Sequence, residues 1–168
     1  MARLVKTVFD KPWIPYKNKV EFYLSGDSDF DAPVTTVHGL FFNEHKEFLL
    51  VKHRKRGWEV PGGHIIPGEL YEGAMHRELY EEAQMKVGGL SQLGYLKKIA
   101  LEDKPIGCEY PHPLSYCIFY AGEISEIDYF IGDDSIVDAQ FFELGAAAKT
   151  PWIVSYKEYF SAAIELLS

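Results

Sequence analysis

Residues 58–69 read WEVPGGHIIPGE and residues 70–85 read LYEGAMHRELYEEAQM, and the way these two stretches join decides the fold. The first stretch has three glycines and two prolines within eight residues, which is typical of a tight loop. The second stretch has helical periodicity, so we predict a helix over residues 70–85 that Gly88-Gly89 closes. A glycine-rich loop that leads into a helix lets backbone N–H groups approach an anion.

Clustered acids distinguish this predicted helix from an ordinary one. Glu78 and Glu82 fall on one stripe of the helix, and like charges at this spacing cost roughly 0.2–0.5 kcal/mol per pair. An apolar stripe adjoins them: Met75, Leu79 and Ala83. Arg77 is placed to pair with Glu81, which leaves Glu78 and Glu82 without a counterion in the local sequence. A hard divalent cation, Mg²⁺ or Mn²⁺, would supply that charge, and the alternative is a solvated acidic face.

The loop and helix together resemble a known family signature. Residues 63–85 are similar to the box of the Nudix (MutT-like) hydrolase family, written Gx5Ex7REUxEExGU with U aliphatic, and Pro61-Gly62-Gly63 is similar to its usual lead-in. Every fixed position matches except the last glycine, where Gln84 stands. Because glutamine is a good helix former, we expect the helix to continue one turn further, to Gly88-Gly89.

The resemblance implies both a fold and a reaction. The expected fold class is α+β, a Nudix-like α/β/α sandwich with a mixed, curved β-sheet between helices, formed by residues 1–168 as one domain with the box at 63–85. The implied activity is Mg²⁺- or Mn²⁺-dependent hydrolysis of a phosphoanhydride bond in a nucleoside diphosphate derivative. The favoured substrate is a nucleoside triphosphate, with an oxidised purine nucleotide as one form. The alternatives are an ADP-ribose or dinucleotide pyrophosphatase and a catalytically silent nucleotide sensor.

The resemblance also assigns roles within the box. Glu78 and Glu82 would be the principal metal ligands, Glu81 would assist, and the Gly63 carbonyl would complete the shell. The same three carboxylates form the expected catalytic set, in which Glu78 or Glu82 orients and deprotonates the attacking water. Metal ions lower the pKa of bound water and neutralise phosphate charge. Two further box residues are expected to be structural: Glu69 and Arg77.

Candidate substrate contacts lie outside the box. Residues 53–56 are the densest basic run of the chain, and Arg54 or Arg56 would contact phosphates, with a solvated turn as the alternative. Trp58 is a candidate for stacking on a base, as is Trp152, although core packing is the favoured role for each.

Two loops late in the chain carry weaker signals. Some members of the family take an extra acid from a late loop, which implies a metal or base role for Asp133 or Asp134, with Asp134 the candidate for the substrate site; the alternative is ordinary turn chemistry. Residues 109–115 form a proline-rich loop with an aromatic residue, which faintly resembles a signature of NADH-cleaving family members and which we expect to shape the pocket.

Composition bounds the remaining possibilities. The chain has 168 residues and a formal net charge of −8, so we expect a small-molecule nucleotide partner and no nucleic-acid polymer. No apolar run suggests a membrane span or signal peptide, which favours the cytoplasm. Cys108 and Cys117 lack zinc spacing and are expected to be free thiols. The chain is expected to be a monomer or homodimer.

Periodicity predicts the remaining elements. Strands are expected over residues 20–24, 34–42, 47–52, 93–101, 114–120 and 139–144, with the second and third joined as a hairpin through residues 43–46. A second helix is expected over residues 154–167.

Overall fold

The computed structural model describes residues 1–27 and 29–167, and within them the chain forms ten strands and four helices. The strands are β1 (Arg3–Phe9), β2 (Asn18–Leu24), β3 (Val34–Phe42), β4 (Phe48–His53), β5 (Gly57–Glu59), β6 (Gly62–His64), β7 (Met85–Val87), β8 (Ser91–Ala100), β9 (Leu114–Ile127) and β10 (Ile136–Phe142). The helices are α1 (Tyr71–Ala83), α2 (Leu144–Ala147), α3 (Pro151–Ser155) and α4 (Lys157–Glu165).

The strands form a mixed sheet between helices. Its order is β1-β2-β8-β9-β3-β4-β10, and β5, β6 and β7 pair with β4, β3 and β9 respectively. Strands β3 and β9 run parallel, whereas the other neighbouring strands run antiparallel. Helix α1 packs on one face of the sheet and α3 and α4 pack on the other. The α+β sandwich expected from the sequence is confirmed.

Each face of the sheet has its own apolar core. On the α1 face, Met75 and Leu79 are fully buried against Val37 and Phe41 of β3. On the opposite face, the core is aromatic, and the rings of Phe119 and Tyr159 stack at 4.0 Å. A fully buried side chain of this size contributes about 1.5–3 kcal/mol. The two cores therefore fix α1 and the C-terminal helices on opposite sides of the same sheet.

Each predicted strand overlaps an observed one, and the hairpin is confirmed. In its turn, the Asn43 side-chain oxygen accepts hydrogen bonds from the backbone N–H groups of His45 and Glu47, both at 3.0 Å. Lys46 adopts a positive φ of 60°. The sequence did not indicate β1, β5, β6 or β7. The last three have three residues each, which is too short to show periodicity, and they form only through pairing with longer neighbours.

The helix predicted over residues 154–167 is wrong as a single element. Pro151 occupies the first turn of α3, where its missing N–H costs nothing, so helical structure begins earlier than predicted. Tyr156 then leaves the helical region, with φ −123° and ψ 32°, before α4 begins. Its ring lies 4.4 Å from the Trp152 ring and 5.8 Å from the Phe22 ring. The break allows Tyr156 to pack beside both rings.

The end of α1 corrects a second prediction. Helix α1 ends at Ala83 and does not continue to Gly88-Gly89, because Gln84 adopts the left-handed conformation with φ 54° and ψ 40°. Its side-chain amide donates to the carbonyls of Tyr80 and Glu81, at 3.1 and 2.9 Å. These bonds satisfy carbonyls that a helix end leaves unpaired and offset the strain of a positive φ. Glutamine thus occupies the backbone conformation that glycine favours.

The structure also bears on the predictions made for the two cysteines and for membrane-spanning segments. Cys108 and Cys117 are both free thiols, and Cys117 is buried. Across the described residues, no helix is long and apolar enough to cross a membrane.

Candidate active site

Arg77 organises the charges of the loop and α1. Its guanidinium donates two hydrogen bonds to Glu69, at 2.7 and 3.0 Å, and one to the His64 carbonyl at 3.0 Å. It also donates to Glu78 at 3.0 Å and to Glu81 at 3.1 Å. The bonds to Glu69 are the main reason that the pKa of Arg77 lies above its usual range. The predicted Arg77–Glu81 pair is present, but the prediction that Glu78 lacks a local counterion is wrong.

Glu69 connects the loop to this network. Its carboxylate accepts the backbone N–H of Ile66 at 3.0 Å in addition to the two bonds from Arg77. The hydrogen bond from Arg77 and that from Ile66 hold the pKa of Glu69 below its ordinary value. Glu69 therefore joins the loop backbone to Arg77 of α1.

The glycine pair of β6 allows two side chains to approach the backbone closely. A methyl group at Gly63 would lie 2.6 Å from the Glu78 carboxyl carbon, and one at Gly62 would overlap the His38 ring. Any larger residue would displace one of these side chains. The Glu78 carboxylate consequently lies directly against the Gly63 backbone, whose carbonyl the sequence proposes as a ligand.

Glu82 is the least compensated acid of the region. Its carboxylate accepts a hydrogen bond from the Gly62 N–H, at 3.3 Å. Burial raises the pKa of Glu82 to about 8, and the negative charges of Glu78, Glu59 and Asp133 add to that shift. Burial also raises the pKa of Glu78, although the Arg77 guanidinium opposes the change. Two neighbouring carboxylates with raised pKa values are a frequent mark of a functional site.

The donor set fits a hard divalent cation. Within residues 1–27 and 29–167, no three His, Cys, Asp or Glu side chains are already spaced to hold a metal ion. Glu78 and Glu81 are instead bonded to Arg77, whereas Glu82 is buried with little compensation. Carboxylate oxygens beside a backbone carbonyl are ligands that Mg²⁺ prefers, and a cation would offset the burial cost of Glu82.

Gln84 ties the loop that contains Asp133 and Asp134 to the end of α1. Its side-chain oxygen accepts the backbone N–H of Ile131 at 2.7 Å. Asp133 lies close enough to Glu82 to affect its pKa. The Asp133 side chain itself accepts the N–H groups of residues 135 and 136, which is ordinary turn chemistry. The Asp134 side chain is exposed at the same turn.

The basic run forms contacts within the protein. The Arg54 side chain donates to the Asp134 carbonyl at 2.8 Å and so joins two loops. Arg56 forms a bidentate pair with Glu59, at 2.9 and 3.0 Å. Trp58 packs edge-on against Phe142, with ring centroids 4.9 Å apart. Each of these side chains therefore has a structural contact. A guanidinium has five N–H donors, so the bonds to Asp134 and Glu59 do not prevent Arg54 or Arg56 from contacting a substrate.

Comparison with known proteins identifies the family to which this loop–helix belongs. A family profile described as NUDIX domain matches residues 32–163, which is most of the chain. The chain belongs to the Nudix family. All the box residues described above fall inside the matched range, and β1 and β2 lie before it.

Individual relatives of this Nudix chain agree in fold. The Bacillus subtilis protein YtkD, provisionally named an 8-oxo-dGTP diphosphatase, is 41% identical over 56 residues, covering 33% of this chain and 35% of YtkD. The match thus spans about a third of that relative's length. The crystal structure of a mutant of the B. subtilis pyrophosphohydrolase BsRppH has TM-score 0.63 and 21% identity, covering 95% of this chain and 97% of that one. The NUDIX domain of Shewanella oneidensis NrtR, complexed with ADP ribose, has TM-score 0.62 and 22% identity, covering 84% and 95%.

A cavity of about 620 Å³ adjoins the Nudix loop and includes Lys98, which the sequence did not single out. It lies between loop residues 64–69, the start of β3 and residues 109–111, so Glu69 and His64 border it directly. Lys98 of β8 and Tyr110 also line it. The signal for Lys98 was available: it follows Leu96 at strand spacing and so lies on the buried face of β8.

His38 is a second residue that sequence patterns missed. Its ring stacks 5.7 Å from the Phe119 ring and lies 5.9 Å from the Trp152 ring. Trp152 therefore packs in the core, the role that the sequence favoured over stacking on a base. The His38 Nδ1 atom is buried, with no hydrogen-bond partner among the residues that the structure describes. Burial and the nearby positive groups lower the pKa of His38 well below its ordinary value, so the ring is neutral.

Proposed function

We propose that this Nudix protein is a divalent-metal-dependent hydrolase that converts a nucleoside triphosphate and water into a nucleoside monophosphate and pyrophosphate. The observation that carries the proposal is the buried pair Glu78 and Glu82, which lies beside the Gly62-Gly63 backbone with both pKa values raised. Maintaining two such acids costs stability, and a bound cation offsets that cost.

The box residues would act in two ways, by holding the metal ion and by accepting a proton from the attacking water. Bound Mg²⁺ or Mn²⁺ would supply charge neutralisation for the phosphates and a water of lowered pKa. Glu78, Glu82, Glu81 and the Gly63 carbonyl would hold the ion. Glu82 would accept the proton of the attacking water, because its carboxylate lies beside the Gly62 N–H and the Glu78 carboxylate, at the site that would hold the ion. Attack at phosphorus forms one P–O bond and breaks the anhydride bond to pyrophosphate.

Arg77 and Glu69 would act by positioning. Arg77 holds Glu78 and Glu81 in place before the ion binds, and it releases part of those contacts when they turn toward the ion. Glu69 retains its bidentate contact with Arg77 throughout, so the guanidinium stays fixed. Correct placement of reacting groups supplies a large part of catalysis in reactions of this kind.

Two further points support a triphosphate over the alternatives. The name of YtkD, which shares 41% identity across its matched segment, refers to a deoxynucleoside triphosphate. The chain retains every acid of the box, which favours an enzyme over a silent nucleotide sensor.

The test is a substrate panel with purified protein. Nucleoside triphosphates, their 8-oxo forms, ADP-ribose and a dinucleoside polyphosphate are each incubated with Mg²⁺, with Mn²⁺ and with EDTA. We expect pyrophosphate release from triphosphates, supported by either ion and abolished by EDTA. Faster cleavage of ADP-ribose or the dinucleotide would move the assignment to that class, and nucleotide binding without any turnover would establish a sensor.

A further inference from the structure

The cavity beside the Nudix loop is built on rigid walls. Tyr16 donates a hydrogen bond to the Pro111 carbonyl, and its ring meets those of Tyr110 and His112 edge-on. The His112 ring forms a further hydrogen bond to the Glu102 carbonyl at 2.8 Å. The wall that carries Tyr110 is therefore held from two sides before any ligand arrives, and a pre-formed cavity of about 620 Å³ has the size of a small-molecule site.

Lys98 is an unusual residue for this wall. It is half-buried on the inner face of β8, and its ammonium lies 5.9 Å from the centroid of the Tyr110 ring. Within the described ranges, no carboxylate forms a salt bridge with it. A partly desolvated ammonium has three donors and no acceptor capacity, so a ligand that accepts hydrogen bonds fits it best.

The other lining residues disfavour a phosphate as that ligand. Glu109 borders the cavity and would repel an anion, while Pro33, Ile65 and Pro111 make the walls apolar. A flat, uncharged ring with acceptor atoms at one edge fits between the apolar walls and provides Lys98 with hydrogen-bond acceptors. Glu78, one of the acids that would hold the ion, is linked to Glu69 through Arg77.

We propose that this cavity binds the base of the nucleotide and selects a 6-oxopurine over adenine. The inference rests on the proposed hydrolase function and names its substrate class. The base lies against the Tyr110 ring, and Lys98 donates to the O6 and N7 acceptors that a guanine-type edge presents. Adenine places an amino donor at the same position, where it faces the donor-only ammonium of Lys98.

Kinetics with GTP and ATP test the selection directly. We expect wild type to prefer GTP in kcat/KM by about tenfold or more, the value of one hydrogen bond to a charged group. Lys98→Met should reduce that preference to near one, mainly by raising KM for GTP. The matched control is Lys97→Met, because Lys97 is the neighbouring lysine on the opposite face of β8 and should leave the preference intact. Tyr110→Ala removes the ring and should weaken the binding of both nucleotides.

Two kinetic outcomes overturn the proposal. Equal losses for GTP and ATP in Lys98→Met would show that Lys98 contacts phosphate or ribose. A wild-type preference for ATP would exclude the 6-oxopurine.

Binding of the products separates this inference from the proposed reaction. Titration calorimetry with GMP and with AMP needs no turnover, and we expect GMP to bind about tenfold more tightly in a Lys98-dependent manner. If wild type hydrolyses no triphosphate yet shows this GMP preference, the reaction is wrong and the base site stands. If triphosphates are hydrolysed but GMP and AMP bind equally with or without Lys98, the base site is wrong and the reaction stands.

Discussion

The loop–helix region of residues 62–82 and the cavity wall around Lys98 and Tyr110 obtain their order in opposite ways. In the loop–helix, Arg77 reaches acids that are one, four and eight residues away in sequence. In the cavity wall, the hydrogen bond from Tyr16 to Pro111 joins positions 95 residues apart. In the first region Arg77 compensates Glu69, Glu78 and Glu81 locally, while the second has a lysine without a carboxylate partner among the described residues.

This difference separates reaction chemistry from recognition. A short segment can encode a metal-binding set because all its members lie on one loop and one helix. Substitutions in a cavity wall assembled from distant segments can leave that metal-binding set undisturbed. Single substitutions should therefore cost most in the loop–helix and least at the wall.

The largest effect is expected from Glu82→Gln. Gln keeps the shape of the side chain but removes the charge and the proton acceptor, so kcat should fall by about 10³-fold or more. Pyrophosphate release under saturating triphosphate and Mg²⁺ measures it. The matched control is Glu72→Gln, an exposed acid in the first turn of the same helix, which should retain wild-type activity. Full activity in Glu82→Gln would remove Glu82 from the proposed catalytic set.

The second largest effect concerns pH. The pKa of Glu82 is raised from 4.5 to about 8 in the fold, so the folded state holds this proton more tightly than the unfolded chain. The resulting stability is fully present below pH 4.5 and is lost as pH rises through about 8. In EDTA, wild type should therefore lose about 4 kcal/mol more than Glu82→Gln between pH 5 and pH 9. Parallel urea midpoints for the two proteins across this range would contradict the assigned shift, and added Mg²⁺ should reduce the loss.

The next largest effect is expected from Arg77→Met, which should lower the free energy of unfolding. The guanidinium compensates three carboxylates, two of which, Glu69 and Glu78, are mostly buried, so its loss leaves uncompensated charge and should cost about 2–3 kcal/mol. Urea unfolding in the absence of metal measures it. The control is Lys86→Met, since Lys86 pairs with Glu126 at the exposed surface, where a salt bridge contributes little. Equal costs for the two variants would show that the Arg77 network is not the dominant local interaction.

The sequence predicts the loop–helix region better than the elements whose structure depends on contacts between distant segments. The box spacing indicates the acids and the loop because these residues lie on one loop and one helix that adjoin in sequence. Gln84 shows where local reasoning fails: its helix propensity favours continuation, yet contacts with Ile131, which is 47 residues away, accompany a left-handed conformation. Tyr156 similarly breaks the C-terminal helix where it packs against Phe22 of a distant strand. In both cases, tertiary packing overrides a propensity worth less than about 1 kcal/mol per residue.

The smallest effect is expected at the cavity wall, from Tyr16→Phe. The change keeps the aromatic contacts with Tyr110 but removes the hydrogen bond to the Pro111 carbonyl, which should cost about 1 kcal/mol. Because the wall is then held from one side only, KM for the triphosphate should rise by about two- to fivefold while kcat stays within error. Tyr129→Phe, at a tyrosine that is 89% exposed, is the control and should change neither constant. A fall in kcat with unchanged KM would mean that the wall positions the phosphates, and the separation between reaction chemistry and recognition would not hold.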